Sequence, residues 1–264
     1  MAGAFLYDNL LLSAASLVGP AAIPSAPVAN LLNPQPRVRM RSIGTNAAVL
    51  VDFGGPRPVD CVALVGTTVT TGAIVRVRLS SADITGAAGD VWDSGLLAAS
   101  TGDEAGGNVV VVRSAGPVSG RYLLVELADG ALTVVDVGVV AAGSLWRLTR
   151  AQSYGNEEGR VMGGTVDTNP LTQAQYTAPP LLNPRYTAFS VALMPSADAN
   201  GPAREMRRRL GAMRDALWIP DLGLSQSELN IRSIWGLVHQ PGEAGHIRAV
   251  FPGWTNAWRL VERV

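Results

Sequence analysis

Short apolar segments with a period of two residues, between about residues 48 and 143, most strongly constrain the fold. In AIVRVRLS, Val75, Val77 and Leu79 alternate with polar residues, which predicts a strand with one buried and one exposed face. Gly, Ser, Asp and Pro separate this segment from its neighbours, and no helical pattern lies between them. This spacing predicts an all-β sandwich or barrel rather than a parallel βαβ sheet. The companion segments are AVLVDFG, VDCVALVG, NVVVVRS, GRYLLVELA and LTVVDVGVVAAG.

The composition is that of a folded protein with many turns. Of 264 residues, 47% are hydrophobic and 16% are charged, and there are 29 Gly and 17 Pro. This length allows one large domain or two ordinary ones. The formal net charge is zero, whereas a protein that neutralises many phosphates carries a basic excess. We therefore expect no nucleic-acid partner.

A change in sequence texture near residue 143 predicts a domain boundary. Charged and aromatic residues become more frequent beyond it, and further strand candidates such as YTAFSVALM and AWRLVERV follow. The predicted fold is mostly β, with two β-sandwich or jelly-roll-like domains at residues 1–143 and 144–264. Residues 20–37 are rich in Pro and Ala, so we expect an ordered segment that wraps the first sandwich.

The second domain is predicted to carry one amphipathic helix at about residues 202–217. Pro202 suits the first helical position, and WIPDLG ends the pattern. The apolar side chains fall at steps of four, three and four residues, which gives one stripe that docks on a sheet. These residues are Met206, Leu210, Met213 and Leu217.

Arginines on the other face of this helix are candidates for a partner interface. They are Arg204, Arg207, Arg208 and Arg214. Two interpretations stay open, a solvated basic face and a contact with an acidic protein; a nucleic-acid contact is disfavoured because no aromatic residues lie among the arginines. Trp254, in FPGWTN, is added as the tryptophan best placed for exposure. The other tryptophans lie in apolar alternation and are expected in the core.

No catalytic residue, metal site or cofactor is predicted. His239 and His246 are separated by six residues, which fits no standard zinc spacing, and there is no G-x-S-x-G turn. Glu157 and Glu158 are adjacent and would point to opposite faces of a strand. Glycine-rich segments do not stand between a strand and a helix, as a phosphate-binding loop would. We expect a protein that is not an enzyme.

The expected compartment is a reducing one. Cys61 is a single cysteine among apolar residues, so a buried thiol is predicted and no disulfide within the chain. The N-terminal segment lacks a basic leader, and no uninterrupted apolar run has the length of a membrane helix. We expect synthesis in the cytoplasm and no membrane insertion.

The first half resembles a recurring N-terminal domain of tailed-phage structural proteins, a discoidin-like jelly roll. The resemblance covers about residues 4–142 and departs from the family pattern at Met40, where that pattern has Trp. The matching features are an Arg-rich strand after a wrapping loop, a strand ending in Asp-hydrophobic-Gly, a proline turn and an "ALVG" strand. These lie at Arg37 to Ser42, Val49 to Gly54, Pro56 with Pro58, and Val62 to Gly66.

The second half is similar to the β-sandwich-plus-helix module of distal tail and tail-tube proteins. The matched positions are Trp218 to Asp221, after the helix, and Trp235 with Gly236 on a following strand. In that family the module assembles into a ring around the tail axis.

The two resemblances imply a structural subunit of a siphophage tail tip or baseplate, a distal-tail-type protein that joins the tail tube to the adsorption apparatus. The implied partners are other copies of the chain, the tail tube and the hub. The implied location is the virion, after assembly in the bacterial cytoplasm. The alternative is a recognition module that binds host surface glycans through jelly-roll loops. The candidate ligand residues for that alternative are Thr67, Thr70, Asp103 and Asn108.

Overall fold

The computed structural model describes residues 3–100, 109–153, 156–161, 165–168, 172, 175–178, 184–211, 214–241, 245–247 and 253–263. The helices of this part are α1 Ser196–Asn200, α2 Pro202–Leu210 and α3 Gln226–Arg232, with 3-10 turns at Leu10–Ser13 and Val28–Leu32. The strands up to residue 143 are β1 Ala4–Leu6, β2 Ser16–Val18, β3 Met40–Ile43, β4 Asn46–Val65, β5 Ile74–Ser80, β6 Trp92–Asp93, β7 Leu97–Ala98, β8 Val109–Ala128, β9 Val134–Val137 and β10 Val139–Gly143. The later strands are β11 Trp146–Arg147, β12 Glu157–Arg160, β13 Thr165–Thr168, β14 Gln175–Ala178, β15 Arg185–Met194, β16 Asp215–Ile219, β17 Ile234–Pro241, β18 Gly245–Ile247 and β19 Gly253–Glu262.

The first half is built on a seven-stranded sheet with the order β10-β4-β8-β5-β6, to which β2 and β7 add at the flanks. Every pairing in it is antiparallel. Strands β4 and β8 are 20 residues long each, and register shifts between Asp52 and Arg57 and between Val59 and Cys61 interrupt their ladder. The mostly-β, jelly-roll-like prediction is confirmed for this half.

A small sheet and the wrapping segment enclose the core of the first half. Strand β3 pairs with β9, and Ala22 forms a bridge with Ser42. Leu31, from the Pro- and Ala-rich segment, is fully buried in the same apolar cluster as Val51, Val77 and Leu123. The segment is therefore ordered and packed, as expected from its apolar side chains.

The second half is built on an eight-stranded antiparallel sheet with the order β11-β1-β16-β17-β19-β15-β12, and β18 pairs with β19. Strand β1 comes from the N-terminal end of the first half but lies inside this sheet, between β11 and β16. Its residue Phe5 pairs with both Trp146 and Trp218. The domain boundary at residue 143 stays a prediction. The hydrogen bonds of β1 join residues from the two sides of that boundary. An N-terminal strand thus belongs to the sheet of the second half.

An apolar layer between the two large sheets contains side chains from both halves. Cys61, Ala63 and Val111 from the first sheet share one buried cluster with Leu217 and Trp235 from the second. On β4 the intervening residues face the opposite way, into the core of the first half. Strands buried on both faces have continuous apolar sequences instead of alternating ones. This explains the runs VDCVALV, VVVV and VVAAG.

The second half has a largely aromatic core. The Phe5 ring stacks with Trp146 at 5.7 Å between centroids and lies 4.5 Å from Trp218, and Phe189 stacks on Trp218 at 4.2 Å. Trp258 lies 5.5 Å from Phe189. The prediction of core tryptophans is confirmed at these positions and at Trp235, which is 4% exposed.

The amphipathic helix of the second half is present but shorter than predicted. Helix α2 starts at Pro202 and ends at Leu210, so the predicted end at residue 217 is wrong. Gly211 follows with a positive φ of 53°, outside the right-handed helical region, so the helix does not continue through it. Leu217 lies in β16, where it pairs with β1 and β17, while Met206 and Leu210 are buried as expected. Met213 lies outside the described residues.

Candidate interaction surfaces

The arginines of α2 differ in their surroundings. Among the α2 arginines that form ion pairs, Arg208 is the most exposed, with 70% of its side chain accessible. It contacts Glu205 at 2.6 Å. Arg209 also contacts Glu205 at 2.6 Å and reaches Asp8, in the N-terminal segment, at 2.5 Å. Hydrogen bonds from these two arginines lower the pKa of Glu205 to about 2. The helix is thus tied to the segment that follows β1.

Arg207 does not lie on the outer face, contrary to the prediction. Its Nη1 donates to Oδ1 of Asn256 at 3.3 Å, and Asn256 is fully buried in β19. Arg204 is exposed. A helix repeats every 3.6 residues, so consecutive arginines cannot all face solvent. Arg204 and Arg208 remain interface candidates, and Arg207 is a bridge to the sheet.

The two remaining interface candidates lie in separate places. Arg214 is exposed just before β16 and donates its backbone N–H to Leu210 at 3.1 Å. Trp254 pairs with Met194 across β15 and β19 and packs, partly buried, against the aromatic core. Trp254 is thus half-buried, whereas the other tryptophans of the second half are buried, and its part in an interface stays a prediction.

The predicted ligand loop directs its polar groups inward. Asp129 accepts from the Thr70 backbone N–H at 2.6 Å and from the Thr70 hydroxyl at 3.1 Å, and these bonds help to lower its pKa against burial. Thr67 is 2% exposed. Both threonines are thus engaged by the fold of the loop. Asp103 and Asn108, the other two candidates, lie outside the described residues.

An arginine-lined cleft of about 610 Å³ lies beside the wrapping segment. Arg41 makes a bidentate pair with the buried Asp136, at 2.6 and 2.7 Å, and Arg39 lies 3.8 Å from the same carboxylate. Arg37 and Asn30 also line the cleft. The sequence analysis missed this site, because a turn at Pro36 and Arg37, and not strand alternation, brings Arg37 to the same cleft as Arg39 and Arg41.

A smaller, apolar cavity of about 240 Å³ lies where the N-terminal segment meets the second sheet; we call it the inter-sheet cavity. Leu12 and Leu32 at its mouth are 61% and 39% exposed. Arg214 and Trp235 are also among the lining residues. Its remaining lining residues are Asn9, Leu31, Asn33, Pro34, Val139 and Asp215.

The wall of the inter-sheet cavity contains two buried polar groups. Asp215 Oδ1 accepts from Arg263 Nε at 2.8 Å, whereas its Oδ2 is buried with no hydrogen-bond partner among the described residues. Burial raises the pKa of Asp215, and the Arg263 contact opposes that shift. Trp235 Nε1 is likewise buried without a partner in the described part. Unpartnered buried groups are uncommon in folded proteins and call for a specific explanation.

The described residues contain no group of three His, Cys, Asp or Glu side chains able to hold a metal ion. The side chains of His239 and His246 lie outside the described part. Glu157 and Glu158 occupy β12, where both are exposed, and Glu158 lies 3.7 Å from Arg232. Within the same described ranges, no helix has the length and apolar character needed to cross a membrane.

Comparison with known proteins gives similarities of fold only. No known family matches the sequence, and no curated protein is significantly similar to it. Among solved structures, the lectin domain of lectinolysin with Lewis B antigen is 14% identical, with 52% of this chain and 96% of that one covered and a TM-score of 0.39. A fucose-binding module of Streptococcus pneumoniae is 5% identical, with 52% and 98% covered and a TM-score of 0.38. The CBM32 module of AlyQ with 4,5-unsaturated mannuronic acid is 14% identical, with 49% and 94% covered and a TM-score of 0.38. At these scores and identities, the three likenesses assign neither a family nor a ligand to this chain.

Proposed function

We propose that the chain is a structural subunit of a siphophage tail tip or baseplate, a distal-tail-type protein that joins the tail tube to the adsorption apparatus. It acts through its surfaces, as a rigid block between other subunits, and needs no bond-making residue for this role. Its partners are other copies of itself and neighbouring tail proteins.

The observation that carries the proposal is the apolar layer shared by the two large sheets. Cys61 and Val111 of the first sheet and Leu217 and Trp235 of the second are all buried there. A hydrophobic interface of this kind resists relative movement of two sheet-built units. A subunit that transmits force or fixes geometry between neighbours requires this rigidity. The sequence resemblance at Val62 to Gly66 and at Trp218 to Asp221 supplies the phage context.

Exposed arginines also support a role in assembly. Within the chain, Arg76 with Asp93 and Arg121 with Asp52 already form bidentate pairs. Arginine is the cation best suited to planar, bidentate protein contacts. Arg204 and Arg208 add exposed guanidinium groups on the second half.

Purified virions test this proposal. Mass spectrometry of tail fractions and electron microscopy with a tagged chain should locate it at the tail tip. Particles that lack the chain should have incomplete tails. Virions with complete, adsorbing tails in which the chain is absent would refute the role.

A second candidate function is recognition of host surface glycans by the first half, and the arginine-lined cleft is the observation that favours it. Guanidinium groups bind carboxylates through paired hydrogen bonds, so glycans that contain sugar acids fit Arg37 and Arg39 best. Arg41 is already paired with Asp136. Asn30 would add an amide for hydroxyl groups, although its Nδ2 already donates to the Arg39 carbonyl at 2.8 Å.

Glycan-array binding by the wild type and by Arg37→Ser tests this second candidate. Arg37 is exposed, so its replacement should leave the fold intact while reducing binding of acidic glycans. Arg204→Ser, on the other half, is the matched control. Equal binding by all three proteins, or no binding to any glycan, would exclude the cleft as a glycan site.

A further inference from the structure

The inter-sheet cavity has a counterpart elsewhere on the chain, a loop at residues 81–90 that presents Ile84. Ile84 is 69% exposed, the highest value among the exposed large hydrophobic residues of the described part. An isolated exposed aliphatic side chain needs no explanation. This one is unusual because the loop beneath it is held by many hydrogen bonds.

Hydrogen bonds fix the 81–90 loop on both sides of Ile84. Asp83 accepts from the backbone N–H of Thr85 at 3.0 Å and from that of Ala88 at 2.7 Å. Asp90 accepts from the Ser81 backbone N–H at 3.1 Å. At the base of the loop, Arg78 Nη1 donates to the Ala87 carbonyl at 2.6 Å. A side chain on a preorganised loop loses little conformational entropy when it binds.

The cavity matches an aliphatic side chain in size, and Arg214 beside it is opposite in charge to the loop. A cavity of about 240 Å³ lined by leucines is large enough for one branched aliphatic side chain. Arg214 lies exposed at the cavity and has no ion-pair partner among the described residues. The loop carries two carboxylates, Asp83 and Asp90, and their hydrogen bonds lower the pKa of both, so they stay charged. A cation beside the cavity therefore matches anions beside Ile84.

We propose that Ile84 of one copy of this chain inserts into the inter-sheet cavity of a second copy. The contact rests on the proposed role in assembly and specifies how copies would meet. Leu12 and Leu32 would enclose the isoleucine, and Arg214 would lie opposite the carboxylates of the loop.

The two surfaces have no residue in common, so the contact is heterologous. Each copy offers one loop and one cavity, and repetition of such a contact gives a closed ring or an open helical array. A two-fold dimer would instead use one surface twice. This difference makes the proposal testable with two single substitutions.

Light scattering coupled to size-exclusion chromatography tests the contact on the full chain. Leu12→Asp and Ile84→Asp each remove one side of the contact at an exposed position, so both variants should fold. Each alone should associate at least about tenfold more weakly than the wild type, since loss of a central apolar contact costs more than ~1.4 kcal/mol. An equimolar mixture should form a complex of two chains and no larger, because it joins one intact loop to one intact cavity.

Ile43→Asp is the matched control, since Ile43 is 59% exposed in β3 and belongs to neither surface. It should associate as the wild type does. A monomeric wild type at its highest soluble concentration would overturn the proposal, as would undiminished association of both variants. A mixture that behaves like the separate variants would also overturn it. Presence of the chain in the tail tip is measured separately, so the role in the virion can hold even if this contact fails.

Discussion

Asn230 of α3 accepts a hydrogen bond of 3.0 Å at its Oδ1 from the backbone N–H of Val111 in β8, 119 residues earlier in the chain. The same amide donates to the carbonyl groups of Ala98 at 3.2 Å and Ser100 at 3.0 Å. Asn230 is 1% exposed, so one side chain of the second half completes the backbone hydrogen bonding of two strand ends of the first.

Asn230→Ala should therefore destabilise the protein by about 1–3 kcal/mol, because it leaves buried backbone groups without partners. Chemical denaturation monitored by tryptophan fluorescence measures the effect. Ser227→Ala, at an exposed position of the same helix, should change stability by less than about 0.5 kcal/mol. Equal stability of the two variants would mean that water replaces the amide.

Gly138→Ala should disturb the packing of the wrapping segment. A Cβ at this position would lie 2.2 Å from the carbonyl oxygen of Pro36, which is backbone and cannot move aside cheaply. We expect a loss of about 1–3 kcal/mol, as for overpacking elsewhere. Gly130→Ala, where nothing lies within 4 Å, is the control and should be close to neutral. Thermal unfolding of both variants decides the point.

Arg207 and Arg204 should behave differently although they are three residues apart on one helix. Arg207→Ser leaves the buried Asn256 Oδ1 without this donor, and we expect a loss of about 1–3 kcal/mol in unfolding free energy. Arg204→Ser changes an exposed side chain and should stay within about 0.5 kcal/mol of the wild type. If both variants unfold like the wild type, the Arg207 contact contributes nothing to stability.

Glu205 should contribute to stability in a way that depends on acid pH. Its pKa is lowered from 4.5 to about 2 by hydrogen bonds from Arg208 and Arg209. The contribution is therefore present in full above pH 4.5 and is lost as the pH falls through about 2. The difference in melting temperature between wild type and Glu205→Gln should shrink over that range. A difference that stays constant from neutral pH to pH 2 would contradict this coupling.

Cys61 should be unreactive in the native protein. Its thiol is fully buried, and burial raises its pKa, so little thiolate forms near neutral pH. A colorimetric disulfide reagent should label it only at the rate of unfolding, and addition of denaturant should release one fast equivalent. Rapid labelling of the folded chain would mean that the layer between the sheets opens readily.

Two short helices, α1 and α3, were not predicted from the sequence, although the signal for α3 was present. Ser225 and Glu228 form a capping box: the serine side chain accepts from the Glu228 N–H, and the glutamate accepts from the Ser225 N–H at 3.1 Å. The pattern S-x-x-E is a known start of a helix. It was overlooked because α3 has seven residues, too few for a clear apolar period.

The sequence by itself determined the β architecture, the turns and most of the core. Alternation in AIVRVRLS fixes which side chains share a face, because successive residues of a strand point to opposite sides. In YTAFSVALM it holds for Phe189 and Val191 but fails at Leu193, which lies at a register shift and is 44% exposed. It also determined where α2 starts, through Pro202, and the burial of Cys61 and of four tryptophans. These properties depend on neighbours within a few residues of each other.

Only the tertiary structure decided how the halves join and where surfaces form. Phe5 lies between Trp146 and Trp218, and Asn230 reaches Val111, across separations that no local pattern encodes. The end of α2 was decided in the same way, since Leu217 continues the helical stripe but is held in β16 by β1 and β17. Long-range pairing outweighs local propensity there, because a central strand gains hydrogen bonds on both edges and burial that a further helical turn would forgo.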